Sequence, residues 1–319
     1  MTKFSVRNKG LLPLVLAISL ILSSGLSAQE ISNYYEKYDL LNSPASAFQD
    51  GLLGFANPAI LGTLHAPEAR FYWTTDGPQT FSFQNWALYA AGQNFGFAMQ
   101  EKIFIGQKVT DYSVSMGVGQ DAFSFGMSYD WAKGDKSSFA RERQFKAAAI
   151  LRPGNRLSIG LTSFLGLETK SREGLFELGF RPLGTPALTL FVDALFGEKR
   201  DFGDMWSAGA AVRLTPGVSV VGRYFSEESF TVGLALDMGA GSMSAQGHYD
   251  GKSNHAFNSY MVRSGGFKNN VFQRAAKNVA YVPLNLQGTV QYQKYMLFDT
   301  GTIRLFDLLR DIRAAGDDP

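Results

Sequence analysis

Four carboxylates, Asp130, Glu177, Asp193 and Asp237, and three guanidinium groups, Arg181, Arg213 and Arg223, stand in the middle of this chain among alternating apolar and small residues. Carboxylates gathered in one enclosure can do two things. They can share out general acid and base roles in a hydrolysis, or they can pair with cations to fill a narrow polar interior. The second reading is preferred. His248 lies near Asp250, yet no recognisable motif sets a Ser beside them as a nucleophile. The absence of Cys removes thiolate metal sites, disulfides and a lipid-modified cysteine. Three scattered histidines, His65, His248 and His255, leave little for zinc. Gly117-Val118-Gly119 with Ala122 mimics a degraded dinucleotide fingerprint, but no helix follows, so these are strand glycines. No catalytic residue, metal or cofactor is expected.

The elements that must position those charges follow from period and composition. The 319 residues are 13% aromatic and only 18% charged, against ~25% charged in soluble domains. So many rings and aliphatics exclude disorder. The near balance of 30 Lys and Arg against 28 Asp and Glu gives no basic excess for nucleic acid. Residues 1–28 read as a secretory signal: Lys3, Arg7 and Lys9 precede the apolar run Leu11–Leu22, with cleavage expected near Ser27 or Ala28. An uncleaved anchor is the competing reading, but the run falls short of the ~20 residues of a spanning helix.

From Pro67 to about Gly265 the dominant period is two. Phe123, Phe125, Met127, Tyr129 and Trp131 share one parity, and Ser124, Gly126, Ser128 and Asp130 the other. Phe230, Val232, Leu234, Leu236 and Met238 repeat the pattern against Thr231, Gly233, Ala235 and Asp237. Strands place these sets on opposite faces. A soluble sandwich turns the apolar face inward; an outer-membrane barrel turns it to lipid. The small and hydroxylated opposite face, and strands near the ~9–11 residues of a tilted membrane strand, favour the barrel. Short Gly- and Pro-rich turns alternate with longer charged links such as Glu101–Val109, Ala132–Glu142 and Glu198–Asp204. Fourteen strands are expected, beginning near residues 67, 80, 94, 109, 122, 143, 155, 173, 186, 204, 217, 229, 241 and 256. The even count and the short second turn place both barrel ends toward the periplasm. Lys133, Lys136, Arg141, Lys170, Arg172, Lys199 and Arg200 in the longer links are expected to face solvent or lipopolysaccharide.

Residues 29–66 do not alternate. Ala47-Phe48 followed by Gly54-Phe55-Ala56-Asn57-Pro58-Ala59 resembles the N-terminal hatch of fatty-acid-transporter-like and secretion-system barrels. That resemblance implies fourteen strands and a segment, Phe48–Leu61, that enters the lumen, with Phe55, Asn57 and Pro58 as its motif. After the barrel, Pro283-Leu284-Asn285-Leu286-Gln287-Gly288 and the amphipathic stretch Leu305–Pro319 are similar to the entry into the fold of the signal peptide peptidase A family. This implies the start of a Ser–Lys peptidase whose catalytic residues lie beyond the matched region, so the chain inherits neither role.

The expectation is therefore an all-β chain: an antiparallel outer-membrane β-barrel of about fourteen strands over 67–265, a hatch over 29–66, and a C-terminal α/β fragment over 266–319. Outer-membrane lipid is the expected surrounding, with hydrophobic peptide or lipid as the candidate ligand. The expected role is anchorage of a truncated peptidase domain; the alternative is hydrophobic-ligand uptake or protein secretion.

Overall fold

Period-two segments with a ring on one face and Gly, Ser or Ala on the other can pair side by side without crowding, and here they do so until the sheet closes. The structure, a computed structural model, describes residues 34–49, 51–75, 85–198 and 200–265. In chain order its strands are β1 (Glu68–Thr75), β2 (Asn85–Gly92), β3 (Phe95–Phe104), β4 (Gln107–Gln120), β5 (Phe123–Gly134), β6 (Gln144–Leu151) and β7 (Leu157–Gly166). They continue as β8 (Arg172–Phe180), β9 (Leu188–Gly197), β10 (Arg200–Thr215), β11 (Val218–Phe225), β12 (Phe230–Asp237), β13 (Gly241–Tyr249) and β14 (His255–Gly265). Each pairs antiparallel with its sequence neighbours, and β1 pairs β14 from Glu68↔Gly265 to Thr75↔Asn258, closing the barrel. Closure leaves no edge strand exposed.

The apolar parity points outward. On β5, Phe123, Met127 and Tyr129 are exposed while Ser124, Gly126, Ser128 and Asp130 between them are buried. β12 does the same, with Val232, Leu234 and Leu236 exposed. A soluble sandwich would bury this stripe, so the soluble reading is excluded. From Phe123 to Trp131 the stripe runs about 27 Å along the strand, or about 20 Å along the axis at a tilt of ~40°. That approaches the ~25 Å apolar band of known membrane barrels.

Aromatic rings collect at one end of this band. Trp73 stacks on Tyr260 at 5.6 Å, Tyr112 on Trp131 at 5.4 Å and Phe230 on Tyr249 at 4.7 Å, and Trp206 lies 6.1 Å from Tyr224. All four tryptophans of the chain, the fourth being Trp86 paired with Trp73, are at the end that carries the links 135–143, 226–229 and 250–254. The short turns, such as 121–122 and 216–217, cap the opposite end.

Two links differ from expectation. Glu101–Val109 is not a loop: β3 and β4 continue to a turn at Ile105-Gly106. Its charged residues are paired two ways: Lys108 Nζ meets Glu101 across the strand ends at 2.8 Å, and Lys102 points inward to Asp39 of the inner segment at 2.8 Å. β10 likewise starts at Arg200 rather than near 204.

Inside the barrel lie a helical turn, α1 (Tyr34–Lys37), and two 3-10 turns, Ala45–Ala47 and Pro58–Thr63. No helix among the described residues is long and apolar enough to cross a membrane, which says nothing of strands. The C-terminal strand and helix expected over 266–319, and the signal over 1–28, lie outside the described residues.

Candidate lumen site

Asn57 begins the hatch geometry. Its Oδ1 accepts the Ala59 N–H at 3.0 Å, capping the Pro58–Thr63 turn, and Pro58 occupies the first helical position, where a missing N–H costs nothing. The other end of the Asn57 amide donates to Glu177 on β8 at 2.9 Å, and the Ala45 N–H donates to the same carboxylate at 3.0 Å. Glu177 therefore holds both 3-10 turns of the hatch. Phe55 is fully buried between Tyr38, 5.1 Å away, and Tyr89, 5.4 Å away.

Two ion-paired centres hold the α1 region. Asp130 on β5 accepts from Lys37 of the hatch at 3.0 Å and from Lys146 on β6 at 2.9 Å, with Ser113 Oγ donating at 2.7 Å. Lys146 also donates to Tyr38 Oη at 3.2 Å and to the Phe55 carbonyl. On the far wall, Asp193 of β9 accepts from Tyr35 Oη at 2.5 Å, from Arg223 Nη2 at 2.6 Å and from Ser207 Oγ at 2.9 Å. Arg223 of β11 reaches the Leu41 carbonyl at 2.7 Å. Charges buried this deeply are tolerated because each is paired and its remaining hydrogen-bonding capacity is met.

Inward glycines admit the hatch backbone. A Cβ on Gly126 of β5 or Gly117 of β4 would overlap the Pro58 carbonyl, and one on Gly179 of β8 would overlap that of Ser46. The hatch thus leans on the β3–β9 side. Opposite it, at the short-turn end, a cavity of about 490 Å³ opens between Phe48, Asn42 and the walls of β9 to β14 and β1.

The carboxylates and arginines singled out in the sequence divide among these features. Asp130, Glu177, Asp193 and Arg223 grip the hatch. Asp237 pairs with Arg263 at 2.7 Å beside the cavity, which Arg181 and Arg213 also line. Arg181 is not a strand residue; it follows β8 in a short turn, its guanidinium 3.8 Å from the Phe48 ring centre and donating to Thr189 Oγ1 at 3.2 Å. Asp130, Glu177 and Asp193 serve as hydrogen-bond and ion-pair acceptors, and Ser207 bridges Asp193 to Arg223.

Several placements depart from expectation. Arg141 does not face outward: it is buried and pairs with Asp111 at 3.1 Å, because the 135–143 link folds back over the lumen mouth. His248 and Asp250 do not meet. His248 points inward, stacked on Phe257 at 3.9 Å, while exposed Asp250 accepts the backbone N–H groups of Lys252 and Asn254. Lys37, Lys102, Lys146, Arg70, Arg263, Asp111 and Glu68 belong to the buried charge system but are not among the residues the sequence singles out. Lys146 had one available signal, its inward parity in Gln144-Phe145-Lys146-Ala147.

No protein-family model matches the sequence, and no curated protein matches it. Solved structures to which it is similar include a Rhodopseudomonas blastica porin triple mutant, 8% identical with a TM-score of 0.39, covering 63% of this chain and 98% of that one. The KdgM porin is 9% identical with a TM-score of 0.37, covering 62% of this chain and 99% of that one.

Proposed function

We propose that the chain is an outer-membrane transport barrel whose lumen is held shut by the segment Tyr34–Leu64. One observation carries the reading: an outward apolar band with an aromatic girdle encloses a polar wall that grips a separate inner segment. Such a band is stable only against acyl chains. The hatch is joined to the wall by hydrogen bonds and ion pairs rather than by strand ladders, so it can be released without unmaking the barrel. In this reading both barrel ends face the periplasm, the tryptophan girdle marks the outer leaflet, and a hydrophobic ligand or a secreted chain is the cargo.

Bilayer conductance tests it. The wild-type chain is expected to be nearly non-conducting. The combination Asp193→Asn with Glu177→Gln, which removes two of the three wall carboxylates that grip the hatch, is expected to open stepwise conductance while heat-modifiable gel mobility stays intact. A folded double variant as silent as the wild type overturns the transport reading.

Silence would favour the second reading, anchorage of a peptidase-like segment. Its support is that β14 ends at Gly265, paired with Glu68 at the short-turn end, the side on which β1 begins. The residues whose sequence resembles the peptidase lie outside those described.

A further inference from the structure

The cavity at the short-turn end has a charge its own wall does not cancel. Four arginines line it, Arg70, Arg181, Arg213 and Arg263, against one carboxylate, Asp237. Glu68 sits behind it, 2.6 Å from Arg70 and 3.8 Å from Arg263. Guanidinium groups therefore outnumber carboxylates around the cavity. Arg181 shows where the excess is concentrated. It makes no ion pair among the described residues and is held instead by the face of Phe48, with Arg152 on the same ring at 5.2 Å. Burial, and then the neighbouring guanidiniums of Arg152 and Arg213, push its pKa below the ordinary arginine value. Phe48 is itself fixed in the left-handed region, with φ 62°, so the ring that presents Arg181 is set by strained hatch backbone.

Topology brings the groups together. Thr189, which accepts from Arg181, pairs with Ala211 on β10, two residues from Arg213 and on its face. Arg213 in turn faces Ser219 of β11. We propose that this cavity binds a phosphate group, with Arg181 and Arg213 as its principal donors and the hydroxyls of Thr189 and Ser219 beside them. Guanidinium forks match tetrahedral oxyanions in shape as well as charge. At about 490 Å³ the cavity also has room for the body that carries the phosphate. The proposal does not depend on transport: it concerns a static site on the lumen wall.

Calorimetric titration of the refolded full chain in neutral detergent with inorganic phosphate tests it, alongside retention of phosphatidylglycerol over phosphatidylcholine by native mass spectrometry. Saturable phosphate binding is expected, weakened about tenfold or more by Arg181→Gln and by Arg213→Gln and less by Arg181→Lys, which keeps the charge but loses the fork. Arg143→Gln, at the exposed ion pair with Glu168 on the other end, should change nothing. Phosphate binding with these properties assigns the site to soluble phosphates. Arg181-dependent retention of phosphatidylglycerol, without phosphate binding, assigns it to a lipid head group. Heat-modifiable mobility checks that each variant is folded. Binding of either probe that is the same in folded Arg181→Gln as in the wild type, or binding of neither, overturns the proposal.

Discussion

Arg223 and Asp193 are both almost inaccessible to solvent and 2.6 Å apart, so each depends on the other. Arg223→Met leaves the Asp193 carboxylate with only the hydroxyls of Tyr35 and Ser207. Stripping one partner from a buried pair costs about 3–5 kcal/mol, whereas replacing both by apolar groups can be close to neutral. The expected outcome in urea unfolding followed by tryptophan fluorescence is a large loss for Arg223→Met and a substantial recovery when Asp193→Leu is added. Equal losses in the single and double variants would mean the pair carries no coupling. The sequence placed Asp193 and Arg223 on inward parity because both stand in alternating strands. It could not place Lys37 or Tyr35, since nothing local links a four-residue helical turn to carboxylates 93 and 158 positions away.

The elements were legible where periodicity was strong and misread where charge overrode it. β5 and β12 begin where the alternation of rings with small residues begins, because the period fixes both the strand and its outward face. Glu101, Lys102 and Lys108 cluster at the tip of β3 and β4, a pattern that in the sequence alone resembles a loop. Glu101 and Lys108 are instead satisfied laterally, Glu101 also accepting from Trp86 Nε1 at 3.2 Å, and Lys102 is satisfied inward by Asp39 of the hatch, so the ladder runs on. The same logic explains the inward glycines, which the sequence showed as a small-residue face without showing what needed the space. Gly126→Ala would drive a methyl group into the Pro58 carbonyl and is expected to cost about 1–3 kcal/mol by overpacking. Gly222→Ala is the control, because a Cβ there meets nothing within 4 Å. Relieved of glycine's conformational freedom, that strand should gain about 0.5–1 kcal/mol. Opposite signs are expected in chemical denaturation, and faster proteolysis of the hatch only in Gly126→Ala. If both alanines behave alike, the glycines are not there for the hatch.

At the scale of the whole molecule, the charges and the apolar groups have exchanged the places they take in a soluble protein. Asp130, Glu177, Asp193 and Lys146 are inside, and Leu234, Val232, Met127 and Phe95 are outside. This inversion is self-consistent only if a solvent without hydrogen-bonding capacity surrounds the barrel, because such a solvent rewards the outward aliphatics and forces every backbone group into the closed ladder. The consequence is a cost for charge that varies with depth. Leu234 lies midway along β12 between Phe230 at the tryptophan end and Met238 at the short-turn end, and both Leu234 and Met238 point outward. Arg at the bilayer midplane of a barrel costs about 2–4 kcal/mol, and about 0–1 kcal/mol near an interface. Leu234→Arg should therefore lower the folding free energy into short-chain phosphatidylcholine vesicles by several-fold more than Met238→Arg. In water the ordering has no reason to exist, since both side chains are exposed and each Arg would be solvated. Equal, small effects at the two positions would remove the membrane from the account, and with it the reason for fourteen strands to turn their rings outward.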